Sequence, residues 1–303
     1  MNFSKIHFNF TSHRKVYYLI SLAILAIGVV SMLLVGLNPG VDFVSGTSLD
    51  VYIGQSFDEK QVADLVETTG FPADSIRTAG DQNEIAVVRY KVNITHEDVV
   101  KIENTVKQTY GDQVTISENT VNPMVGQELV RKAIYAVLLA SLGIILYVTI
   151  RFEYRFAISA VLALLYDAFF IIALFSVFQV EVNLPFIAAI LTIIGYSIND
   201  KIVIFDRIRE NMKTAKVKRF EDLEEVVNHS INQTLARSIN TVLTVMFAAF
   251  ALFIFGGEGI RNFSLALLFG LFSGAYSSIF LASQLWLDWR GNELKKGKAA
   301  QTN

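Results

Sequence analysis

Three ionisable residues stand where the surrounding sequence is apolar enough for hydrocarbon: Asp167 in LLYDAFF, Asp200 in GYSIND and Arg237 in LARSINT. A charge at bilayer depth costs about 2.5–3.5 kcal/mol on insertion scales, so each calls for a reason. The chemistry these types can do is proton transfer. Low dielectric favours the protonated form of a carboxyl, whereas a nearby guanidinium favours the ionised form. Movement of an always-charged Arg237 beside Asp200 would therefore load or unload a proton. Tyr196, Ser197 and Asn199, with Asn240, Thr241 and Thr244, supply hydroxyls and amides able to hold water or pass a proton. One proton crossing about 100 mV releases about 2.3 kcal/mol, enough to drive a conformational cycle. The competing reading is a static buried ion pair that fixes helix packing.

Depth along each run decides which of these groups can meet. At ~1.5 Å per residue, Asp167 lies roughly 15 Å from the cytoplasmic end of its run, and Asp200 roughly 7–8 Å from the inner boundary. Arg237 just precedes the fifth run, and its long side chain reaches inward to that depth. Asp167 reads equally as a second proton site or a packing group. Lys201 follows Asp200 but is turned about 100° around a helix, and its stem is expected to snorkel to the interface. Asp206, with Arg207 and Arg209, is expected at the interface as a structural group.

The elements that must position these residues are six apolar runs of 18 or more residues, at 16–37, 133–150, 157–178, 184–205, 238–255 and 263–287. Each suffices to cross a hydrocarbon core of ~30 Å. The first is too long for a signal-peptide core of ~7–15 residues and lacks a small-x-small cleavage pattern after it, so it reads as an uncleaved span. With 52% hydrophobic and 18% charged residues among 303, the chain is not a soluble globular domain. Lys and Arg cluster before span one, between spans two and three, after span four and after span six. This alternation places both termini in the cytoplasm.

The net charge of −2 hides an asymmetry: residues 38–130 carry 6 Lys and Arg against 15 Asp and Glu. An acidic outer domain and a basic inner surface suit a protein inserted in a cytoplasmic membrane. The basic clusters are explained by topology and anionic membrane lipids, with no call for nucleic acid. Within 38–130 the periodicity shortens. Strands are expected at 47–53, 75–78, 84–90 and 113–121, and helices at 57–69 and 95–110 with Ser56 or Asp58 and then Thr95 as caps. The β-α-β-β-α-β order is that of a ferredoxin-like domain. The expected fold class is thus an α-helical polytopic membrane protein, with six transmembrane helices and one small α+β extracytoplasmic domain between the first two. Its segments are 1–37, 38–130, 131–290 and a basic tail at 291–303.

Catalysis finds little support. The four His (His7, His13, His96, His229) lie outside the runs, Cys is absent and no P-loop pattern occurs, so neither an enzyme nor a metal or cofactor site is expected. His96 reads as a solvated first-turn residue of a helix. Two features speak for packing. Gly270 and Gly274 form GxxxG in span six, followed by Ser278. Phe220, Leu223, Val227, Ile231 and Leu235 make an apolar stripe ahead of span five, expected to lie along the inner leaflet.

With GVDFVSGT after span one, GYSINDKIVIFDRIREN at 195–211 and SINQTLARSINT at 230–241, the chain resembles the SecF family of bacterial protein-export subunits over essentially its whole length. The resemblance implies membership of the resistance-nodulation-division superfamily. It also implies work with SecD beside the SecYEG channel on a translocating preprotein, driven by the proton motive force or, in some relatives, sodium. By motif, Asp200 matches the family's span-four carboxylate and Arg237 its span-five arginine, the pair associated with proton conduction. The chain departs from the pattern at Ser45, where a Gly is expected, at Tyr166, where a His precedes the aspartate, and at Lys201, where a small hydroxyl residue is common. Six spans are half of the superfamily's twelve-span unit, so a partner half is implied. Two rivals are a half-size efflux transporter of small molecules or lipids and a purely structural scaffold. A domain of about 90 residues leaves the first little room for a 300–1,000 Å³ pocket.

Overall fold

The computed structural model describes residues 8–301 apart from 45, 81, 122 and 152. Lys5, His7, Ser45 and Asp81 lie outside them, as do the side chains of Lys295, Lys296 and Lys298 in the basic tail. In chain order the elements are α1 (Arg14–Leu34), β1 (Asn38–Pro39), α2 (Val41–Val44), β2 (Gly46–Tyr52), α3 (Glu59–Thr68), β3 (Ser75–Ala79), β4 (Ile85–Tyr90), α4 (His96–Tyr110) and β5 (Thr115–Val121). They continue with α5 (Pro123–Arg151), α6 (Tyr154–Val177), β6 (Glu181–Val182), α7 (Leu184–Thr214), α8 (Phe220–Phe255), α9 (Glu258–Ser277) and α10 (Ser283–Gln301). A π-helical turn, Ser278–Ala282, joins the last two. Among the described residues six helical stretches are long and apolar enough to cross a membrane. The chain divides into two compact units.

The smaller unit comprises Pro39–Ala136 and Glu181–Leu184. Its sheet has the order β3-β4-β2-β5 with antiparallel neighbours, Thr47 standing opposite Tyr90 and Thr120. Period-two alternation turns Leu49 and Val51 of β2 and Ala86 and Val88 of β4 into one core with Val62 and Val66 of α3 and Val99, Ile102 and Val106 of α4. The helices begin where their caps dictate. Asp58 accepts from Lys60 N–H at 3.0 Å, and Thr95 accepts from Asp98 N–H at 3.4 Å. Hydrogen bonds from Thr95 and Lys101 hold the Asp98 carboxyl below its ordinary range. The short β6 segment is tied to this unit. Gly40 N–H donates to Val182 O at 2.7 Å, Leu184 N–H donates to Asp42 at 2.9 Å, and Arg89 pairs with Glu181. Burial, then the nearby Arg77, pulls the Arg89 guanidinium down to about 10.

The larger unit holds most of the helical mass, with α6, α7 and α9 supplying its centre. Small residues set the close approaches. A Cβ on Gly28 of α1 would meet Ala173 Cβ of α6 at 2.4 Å, and one on Gly270 of α9 would meet Ile193 of α7 at 2.4 Å. Gly270→Ala is therefore expected to cost about 1–3 kcal/mol through forced displacement of buried Ile193. Thermal unfolding of the detergent-solubilised chain would read it, with Gly143→Ala, which meets nothing within 4 Å, as the control.

The stripe ahead of span five does not form a separate surface helix. Residues 220–255 contain no Gly or Pro to break them, and α8 runs through without interruption. Leu223, Val227 and Ile231 are buried within the protein. Alongside them Phe10 N–H donates to Asn228 at 2.8 Å, and Arg14 bridges Glu224 and Asp288. The apolar face is thus consumed by packing and not left for lipid.

Candidate functional site

The two in-span carboxylates occupy different surroundings, because they sit on different helices and Asp200 and Lys201 point in different directions from α7. Asp167 of α6 is completely buried. Its Oδ2 accepts from Lys201 Nζ at 2.8 Å, Ser277 Oγ at 2.8 Å and Ser197 Oγ at 2.5 Å, and its Oδ1 accepts from Ser273 Oγ at 2.7 Å. Lys201, also completely buried, donates further to Ser277 Oγ at 2.9 Å and to Ser197 Oγ. All three ammonium donors are satisfied, so an ion pair that would be costly alone becomes a closed network.

Asp200 is nearly as buried, with 9% of its surface exposed. Ser238 of α8 donates to its Oδ1 at 2.5 Å, while Oδ2 has no hydrogen-bond partner among the described residues. Ser278, at the start of the π turn, spends its hydroxyl on Gly274 O at 2.7 Å. Beside Asp200 lies a cleft of about 20 Å³, lined by Tyr196, Ser197, Asn199, Thr241 and Gly274 among others. That is room for about one water molecule. A buried carboxylate lining a water-sized space has the parts of a proton acceptor.

Two sequence expectations are corrected here. Arg237 does not pair with Asp200: it is exposed on α8, and the adjacent Ser238 makes the contact instead. Residue 237 lies about 100° around the helix from Ser238, on the exposed side of α8. Lys201 does not snorkel to the interface, because Asp167 and two serines offer its ammonium a complete inner partner set. Among the remaining candidates, Ser197 serves Asp167, and Tyr196 is half-buried at the cleft. Asn199, Asn240, Thr241 and Thr244 are exposed. The Thr241 hydroxyl donates to Arg237 O at 2.5 Å and that of Thr244 to Thr241 O at 2.8 Å, each within α8. Tyr166 sets its ring 6.2 Å from those of Phe170 and Tyr276.

Sequence reasoning missed Ser238, Ser273 and Ser277. The last two had a readable signal. Residues 270, 273, 274, 277 and 278 are all Gly or Ser at spacings of three and four, so the stripe read as a packing surface also carries the donors to Asp167.

Six apolar helices and buried carboxylates held by hydroxyls and one lysine define a helical polytopic membrane protein built around in-span ionisable groups. Comparison makes this specific. Residues 101–292 match the family described as protein export membrane protein SecD/SecF, C-terminal. The chain is 49% identical over 291 residues to protein translocase subunit SecDF of Bacillus subtilis, which covers 96% of this chain and 39% of that one. It is 44% identical over 295 residues to protein translocase subunit SecF of Alicyclobacillus acidocaldarius, covering 96% of each. The crystal structure of SecDF from Thermus thermophilus, a translocon-associated membrane protein, aligns with a TM-score of 0.86 at 34% identity, over 96% of this chain and 40% of that chain. The chain belongs to the SecD/SecF family of protein-export membrane proteins. It spans 39–40% of the length of those two SecDF proteins.

Proposed function

We propose that the chain is the SecF-like half of a proton-driven motor that assists preprotein translocation through SecYEG, with a SecD-like half as its partner. The observation that carries the reading is Asp200: a buried carboxylate held by Ser238 and lining a water-sized cleft. On this reading Asp200 accepts and releases the proton, Arg237 modulates it in the assembled complex, and Asp167 lies outside the conducted path because Lys201 neutralises it.

The partner is supported by an exposed polar face. Asn199 on α7 and Arg237, Asn240, Thr241 and Thr244 on α8 are exposed at the inner ends of the apolar stretches of these helices. Polar groups at that depth face protein or water rather than lipid. Six more spans from a SecD-like subunit would cover them, and the related SecDF proteins are longer by more than the length of this chain. The alternation of basic segments supports cytoplasmic termini and an extracytoplasmic smaller domain, and the order and pairing of its strands support a ferredoxin-like fold. The relatives named above are translocase subunits, which leaves the efflux reading unsupported.

The test is preprotein export in inverted membrane vesicles depleted of the native subunit and resupplied with this chain. An imposed proton gradient is expected to stimulate export only in the resupplied vesicles, and a SecD-like subunit is expected to co-purify. Equal export with and without the chain would end the proposal.

A further inference from the structure

The Asp167 cluster has the composition of an alkali-cation site. Its donors are oxygens only: one carboxylate, from Asp167, and the hydroxyls of Ser197, Ser273 and Ser277. Its formal charge is −1, which suits a single positive charge and not a calcium-like ion needing 6–8 oxygens. Against three of these groups lies the Lys201 ammonium, 2.8 Å from Asp167 Oδ2, 2.9 Å from Ser277 Oγ and within contact of Ser197 Oγ, while Ser273 holds the other carboxylate oxygen. We propose that this cluster is a monovalent-cation site whose occupant is the chain's own Lys201 ammonium.

Burial makes the occupant necessary. Asp167 and Lys201 are each completely enclosed, so an ionised Asp167 must have a cation beside it. Lys201 stands one helical turn after Ser197 on α7, so one helix supplies both a ligand and the tethered ion. Removal of the long side chain by a small residue leaves a hole where the ammonium was. Ser197, a member of the cluster, also lines the water-sized cleft beside Asp200. With Lys201 in place the site is closed to sodium and potassium, and the inference holds whichever ion drives the cycle at Asp200.

The experiment is thermal unfolding of the full chain in neutral detergent, in choline, lithium, sodium and potassium chlorides at equal ionic strength and slightly alkaline pH. The wild-type chain is expected to melt at the same temperature in all four. Lys201→Ala is expected to melt lower in choline and to recover in at least one alkali chloride. The rise should saturate with concentration and reach about 2–4 °C at several times the dissociation constant. Lys201→Thr, which adds a hydroxyl ligand, should respond at least as strongly, and adding Asp167→Asn to either should abolish the response. A Lys201→Ala chain that melts identically in all four salts would overturn the proposal, the proton then being what neutralises Asp167. So would a saturable alkali response in the wild type. Failure of both variants to fold in every salt also counts against it, because an ion in the site would restore the charge balance.

Discussion

Asp200→Asn is expected to leave preprotein export running at its gradient-independent rate and to remove the proton-gradient stimulation altogether. The amide matches the carboxylate in size and can still meet Ser238, but it cannot take up and release a proton in the working range. One proton moved through about 100 mV supplies about 2.3 kcal/mol, or an equilibrium bias of ~50-fold, and all of that bias is lost if Asp200 is the carrier. The assay is export in inverted vesicles with and without an imposed gradient. A stimulated rate that survives Asp200→Asn would mean the coupling site lies elsewhere. Ser238→Ala separates holding from carrying: it removes the 2.5 Å hydrogen bond to Asp200 but leaves the acid, so stimulation should fall without vanishing. Arg237→Met gives the complementary contrast. The side chain is exposed and bridges nothing to Asp200, so the melting temperature of the chain alone should change little, within about ±0.5 kcal/mol in stability. In the complex, where the proposed partner covers that face, gradient-stimulated export should collapse.

How much of this was legible beforehand divides along physical lines. Length and hydropathy report burial in hydrocarbon directly, so the six spans could be read from composition alone. The caps Asp58 and Thr95 mark helix starts because a side-chain acceptor for a free N–H is a local requirement. Rotation about a helix axis is not local. Sequence gives the depth of Asp200 and Arg237, but which way each side chain turns depends on neighbours distant in the chain. One residue of offset therefore exchanges Arg237 for Ser238 and sends Lys201 to Asp167. The same limit hid the serines of α9: an in-span serine reads as a small packing residue until a carboxylate is known to face it. The 220–235 stripe misled for a related reason, since an apolar face seeks either lipid or protein and periodicity does not tell which.

The largest stability effect is expected from splitting the buried pair. Lys201→Met keeps nearly the volume of the side chain, one atom shorter, but removes its charge, leaving Asp167 with three hydroxyl donors and no counter-ion in a fully enclosed place. Removing one partner of such a pair costs about 3–5 kcal/mol, and Asp167→Leu, which strands the Lys201 ammonium, should cost a similar amount. The double variant Lys201→Met/Asp167→Leu removes both charges together and should recover most of the loss, though Ser197, Ser273 and Ser277 would each need a new acceptor. A double-mutant cycle on unfolding free energy in detergent measures the coupling. Additive losses would show that Lys201 and Asp167 do not depend on one another. Salt distinguishes this pair of variants from the small-residue ones: methionine fills the stem's space and sets an apolar methyl against the ammonium's place, so Lys201→Met should stay destabilised in every alkali chloride while Lys201→Ala recovers. The missing quantity in Lys201→Met is then positive charge, with packing volume held nearly constant.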